Sequence, residues 1–197
     1  MAEELGRRER KKQATRQALI AAAVRLFEEQ GYEQTTVAEI AEAADVSTRT
    51  FFLHFPTKED VLLANAEMRV DLGLRAIERR LPGEAAAEVL AQAVEEMIVN
   101  AWSTDLPSGL AALRAGLVAS SPAVQARLLQ RLLAAHAELA EALRQAYPQE
   151  LDEVVAAALV GAVIGAVGAA GLAGLRRGDP PDQVRDAMTR AVGIALR

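Results

Sequence analysis

The chain has 197 residues, 51% of them hydrophobic, enough to bury a substantial core and to exclude a disordered polypeptide. It has no cysteine, which excludes a disulfide framework or a thiolate metal site and makes a reducing cytoplasm the expected setting. The net charge of −5 argues against general phosphate binding, but Arg7, Arg8, Arg10, Lys11, Lys12 and Arg16 stand against Glu9 alone, a local balance of +5 that leaves the rest at −10.

The opening residues carry no apolar run of the kind a secretory signal needs. Period-2 alternation is scarce while helical spacing recurs throughout, so an all-α protein is expected. A first helix is predicted from Lys12 to Gln30, with Leu19, Ile20, Ala23, Val24 and Phe27 on one face and Gly31 supplying a left-handed stop. Short helices follow at about Val37 to Ala44 and Thr48 to His54, then a long one from Lys58 to Arg80. Thr36 with Glu39 and Thr57 with Asp60 fit capping boxes, and Ser47 is a good N-cap.

Beyond Leu81, breaks at Pro107, Ser120 to Pro122, Pro148 and Gly178 to Pro181 divide the remainder into about five helices. All four phenylalanines precede Leu81, and the later part is aliphatic. Two domains are expected: residues 1–57, a compact, aromatic-cored domain of three helices with a basic N-terminal arm, and residues 58–197, a broad, aliphatic helical bundle.

The stretch TTVAEIAEAADVSTRTFFLHFPTKEDVL, Thr35 to Leu62, has the grammar of a helix-turn-helix. Ile40, Ala41 and Ala44 give a first helix small inner residues for a close crossing. Val46 plugs the turn, and the polar start of the next helix would face a DNA major groove. With LFEEQGY from Leu26 to Tyr32 at matching spacing, the segment resembles the DNA-binding domain of the TetR family of transcriptional regulators. Two residues depart from the family pattern: Asp45 replaces the usual turn glycine and Phe52 the usual tyrosine. Aspartate tolerates left-handed geometry, whereas the phenylalanine gives up a phosphate hydrogen bond and leaves apolar contact with sugar or a thymine methyl.

The resemblance implies a dimeric repressor on double-stranded, palindromic operator DNA. Thr48 and Arg49 are then the base-reading candidates, Arg49 gripping a guanine edge. Thr50, His54 and Lys58 would hold phosphates, as would Thr36 and Ser47 at helix N-termini. Arg7, Arg8, Arg10, Lys11 and Lys12 would follow the backbone or enter a minor groove. Phe51 and Phe55 are assigned to the core.

Val154 to Leu175 is an uncharged run of 22 residues, long enough to span a membrane. Eight alanines and five glycines make a soluble dimer helix the expectation, with Gly161, Gly165 and Gly168 at a close helix crossing and no membrane as partner. The resemblance implies that the last two helices of two subunits form the dimer interface. A small, largely apolar effector is expected between Glu84 and Tyr147, near Met97, Trp102, Arg114 and His136. Relatives with a similar Thr50 to Val61 segment respond to acyl-CoA esters, and Arg114 would then face a phosphate or thioester. No catalytic residue, metal or cofactor is expected, since His54 and His136 are the only histidines and HExxH and P-loop patterns are missing. The alternative is a helical protein-interaction or membrane-associated module.

Overall fold

The structure, a computed structural model, describes residues 2–105 and 107–197, and the regular secondary structure among them is α-helix alone. In chain order the helices are α1 (Ala2–Gln30), α2 (Val37–Ala43), α3 (Thr48–His54), α4 (Lys58–Leu62), α5 (Ala66–Glu78), α6 (Ala86–Asp105), α7 (Leu110–Ser120), α8 (Pro122–Ala146), α9 (Glu153–Arg177) and α10 (Pro181–Ala195). They form two compact units, Met1–Ala64 with Leu106–Arg127, and Asn65–Asp105 with Leu128–Arg197.

In the first unit Leu19, Ile20, Ala23 and Phe27 of α1 pack against Ile40 and Ala41 of α2, and against Phe51, Phe55, Val61, Leu62 and Leu110. Helices of five to seven residues do not persist alone in water, so α2, α3 and α4 depend on this burial and on their caps. In the second unit α5 pairs with α6 and α9 with α10. Its core joins Ile77, Leu90, Val94, Leu139, Leu143, Val160, Val163 and Val192.

Several expectations are corrected. The first helix begins at Ala2, ten residues before Lys12, because nothing from residue 2 onward breaks it. The long helix expected from Lys58 to Arg80 is two helices. The amides of Leu63 and Ala64 each donate to a carbonyl three residues back at 3.2 Å, and the buried Asn65 turns its amide to Asp105 Oδ1 at 2.7 Å. The first unit therefore runs to Ala64 and takes in α7, so the expected boundary at residues 57/58 does not match the packing.

The glycines of α9 also exchange roles. A methyl group at Gly161, Gly165 or Gly168 would meet no atom of the described residues within 4 Å beyond the backbone of α9 itself, so no other described helix crosses there. Close approach falls instead at Gly171, where a Cβ would lie 3.2 Å from Met188 Sδ, and at Gly174, where it would lie 3.0 Å from Val184 Cγ2 of α10.

The turn between α2 and α3 behaves as its sequence predicts. Asp45 is the one non-glycine among the described residues with positive φ, at +53°, and the following Val46 amide donates to Ala41 O at 2.9 Å. Gly31 ends α1 at φ +90°. An aspartate tolerates this conformation but a β-branched residue does not. Asp45→Val should lower the unfolding free energy by about 1–2 kcal/mol, whereas Asp45→Gly should leave it within about 1 kcal/mol of the parent, as chemical denaturation will measure.

Candidate nucleic-acid interface

The short helices of the first unit are set by their caps. Thr36 Oγ1 accepts from the Glu39 amide at 3.2 Å while Glu39 Oε2 accepts from the Thr36 amide at 2.8 Å and from its hydroxyl at 2.7 Å. These bonds, the backbone one foremost, hold the Glu39 carboxyl below its ordinary pKa. Thr36, expected to meet phosphate, thus has its only O–H turned onto a carboxylate. Ser47 caps α3 by accepting from the Thr50 amide at 3.1 Å, and the two hydroxyls lie 2.9 Å apart.

Along α3, Phe51 and Phe55 are fully buried, as assigned. Thr48, Arg49, Phe52 and Leu53 face solvent, Phe52 being 54% exposed and Leu53 74%. At about 100° per residue these four cover one arc of about 140° on the helix. Leu53 is absent from the sequence-derived candidates, although it stands four residues after Arg49 and so in the same row of side chains.

Behind the exposed face, Arg16 holds the end of α3, while Lys58 and Tyr32 tie α4 to the segment that follows α1. Arg16 Nη1 donates to His54 O at 3.1 Å, Arg16 Nη2 donates to Ala64 O, and the guanidinium lies 4.4 Å from the Phe55 ring centroid. Lys58 Nζ donates to Tyr32 O at 2.8 Å and Thr35 O at 3.1 Å and sits 4.1 Å from the Tyr32 ring centroid. Two of its three N–H donors therefore serve the backbone, which points to a buttress and not primarily to the expected phosphate contact. The Tyr32 hydroxyl donates to Glu59, and burial first and that carboxylate second push the phenol pKa up, so it stays a donor.

His54 is half-buried, and burial, then Arg16, then Lys12 lower its pKa. Lys12 is thus near the end of α3. Arg8, Lys12 and Arg16 recur every four residues along α1 and form one stripe leading to that end. Arg7, Arg8, Arg10, Lys11 and Lys12 are exposed, but they are carried on a helix and not on an extended arm. A helix about 10–12 Å across is wider than a minor groove of about 6 Å, so only side chains projecting from it could reach into that groove.

The expected effector residues are divided between the two units. Met97, Trp102 and His136 belong to the second unit, Arg114 to the first. Met97 is a packing residue: its Sδ would lie 2.8 Å from a Cβ added at Gly73. A groove of about 560 Å³ in the second unit is lined by Leu72, Gln92, Glu95, Glu96, Val99, Asn100 and Ser103, and by none of the four. Trp102 Nε1, His136 Nε2 and Asn100 Oδ1 are nevertheless buried with no hydrogen-bond partner among the described residues.

A family model described as bacterial regulatory proteins, tetR family, matches residues 19–64. The HTH-type transcriptional regulator TcmR of Streptomyces glaucescens is 35% identical over 166 residues, 83% of this chain and 74% of its own length. The fatty acid degradation regulator FadR of Bacillus halodurans has a TM-score of 0.58 at 21% identity, covering 92% of this chain and 94% of that one. FadR of Thermus thermophilus, a TetR-family transcriptional repressor in complex with lauroyl-CoA, has a TM-score of 0.54 at 21% identity over 92% and 93% of the two chains. At these identities the two structures speak to the fold.

The His54 environment sets a pH dependence of stability. Because its folded pKa is lowered, the folded state binds fewer protons than the unfolded one below the ordinary histidine pKa near 6.5. Stability should fall as pH drops from that value through the lower folded pKa. His54→Gln should remove this part of the slope in urea melts taken across that range.

Proposed function

The chain belongs to the TetR family of bacterial transcriptional regulators and is a DNA-binding regulator; we propose that it works as a homodimeric repressor on a palindromic operator, released by a small, largely apolar effector. The observation that carries this reading is the arc of Thr48, Arg49, Phe52 and Leu53, exposed on a helix whose opposite side is clamped by Phe51, Phe55 and Arg16. Arg49 presents a fork matched to a guanine edge. The stripe of Arg8 and Lys12, with Arg7 and Lys11 beside it, carries charge for flanking phosphates. Ser47, Thr50 and His54 complete the phosphate-facing rim, and Lys58 and Thr36 support it from behind.

One short reading helix contacts few base pairs, so two-fold symmetry is the natural way to lengthen the site. The surface of α9 around Gly161, Gly165 and Gly168, with Val154 and Val155 exposed at its start, supports a second copy crossing there. This helix is long and apolar enough to cross a membrane, but its small residues suit a helix partner equally well. The proposed setting is the cytoplasm, and the reading contains no catalytic step.

Trp102 Nε1 and His136 Nε2, buried without a partner among the described residues, support an effector that brings a few polar atoms into an otherwise apolar site, since such groups are costly unpaired. An acyl-CoA is the first class to try, given the lauroyl-CoA carried by the Thermus regulator. Arg114, in the first unit, is not counted in this site.

Arg49→Ala should cost about 1–3 kcal/mol of operator binding and flatten base preference, and Gly165→Leu should shift sedimentation from dimer to monomer. Unchanged preference or an unchanged dimer removes the corresponding part of the reading. Acyl-CoAs of increasing chain length should raise the melting temperature of the wild type more than that of Trp102→Phe and lower operator affinity. Absence of both effects rules this class out.

A further inference from the structure

Two large apolar side chains stand exposed on the proposed reading helix, and no packing among the described residues buries them. Phe52 and Leu53 are 54% and 74% exposed, whereas Phe51 on the other side of the helix and Phe55 just past its end fill the core. Phe52 stands edge-on to Phe51, with ring centroids 5.5 Å apart and planes at 85°. Leu53 follows Arg49 by four residues, so the two side chains leave one row of the helix about 6 Å apart along its axis. That separation is about two base-pair steps of roughly 3.4 Å.

A major groove offers polar atoms on every base pair but only one apolar group, the 5-methyl of thymine. An apolar side chain held beside a guanine-reading arginine has that methyl as its one favourable target. A polar base edge in the same place would lose water without gaining a hydrogen bond. We infer that Leu53, with Phe52 beside it, reads thymine methyl groups one or two base pairs from the guanine taken by Arg49. Each half-site then carries a guanine and a nearby thymine that differ in how they are recognised, one by hydrogen bonds and one by shape.

This inference rests on the regulator reading above, and the test separates the two. The full-length protein is used to enrich duplexes from a random-sequence library. The thymines of the enriched half-site are then replaced one at a time by deoxyuridine, which removes only the methyl. Burial of one methyl group corresponds to roughly a three- to fivefold change in affinity. The wild type should lose about that factor at one or two thymines in each half-site. Leu53→Ala should lose this discrimination while keeping the guanine preference, and Leu53→Met, which restores apolar reach, should regain it. Both substitutions fall on an exposed side chain, and unchanged melting curves will show that folding is intact.

If the wild type binds the deoxyuridine and thymine duplexes equally, the inference is wrong. It is also wrong if the penalty persists undiminished in both Leu53→Ala and Phe52→Ala. If no duplex is enriched at all, the DNA-binding reading falls first and the methyl contact with it.

Discussion

The guanidinium of Arg16 is the tie on which the geometry of the first unit depends. The last carbonyls of a helix have no partner within it, and α3 is too short to hold its own shape. Arg16 takes the carbonyl of His54 at the end of α3 and that of Ala64 just past α4, with the Phe55 ring against its plane. A planar fork reaches two separated carbonyls from two different nitrogens, where a lysine offers a single ammonium. Lys58 does the matching work at the other side, on the carbonyls of Tyr32 and Thr35. Two cations of a region rich in positive charge therefore face inward, and Arg49 is left to face out.

Buried carboxylates follow the same economy of parts in each unit. Asp60 closes the capping box of α4 by accepting from the Thr57 amide at 3.1 Å, and receives two hydrogen bonds of 2.8 Å from Arg127. In the second unit Asp105 receives Asn65 at 2.7 Å and Arg69 at 2.9 Å. Pairs of this kind contribute less to net stability than their Coulomb energy suggests, because both ions leave water. Their value here is positional: each fixes one rotation of a helix about its axis, which apolar contacts alone leave soft.

What could be read from the sequence was what local chemistry determines. Thr36, Ser47 and Thr57 cap the helices they precede, Asp45 takes the left-handed turn, and Phe51 and Phe55 fill the core, because each effect acts within a few residues. What escaped was decided over long sequence distance. The break at Leu63 to Asn65 depends on Asp105, 40 residues later, and periodicity carries no trace of it. Arg16 and Lys58 look like surface cations until the carbonyls they serve are located in space. Gly161, Gly165 and Gly168 share their spacing logic with Gly171 and Gly174, and only the position of α10 tells the pairs apart. Leu53 was legible in principle, from its row on the helix, but a leucine in a short helix reads first as core.

The division of labour along α3 has an evolutionary consequence. Its structural residues, Ser47, Phe51 and Phe55, alternate with Thr48, Arg49, Phe52 and Leu53, which take no part in the core. A substitution at one of the four changes what the surface presents without opening a cavity or stranding a buried polar group. Gene duplicates of this scaffold can therefore drift to new operators by single steps at nearly constant stability, with each intermediate still folded and open to selection.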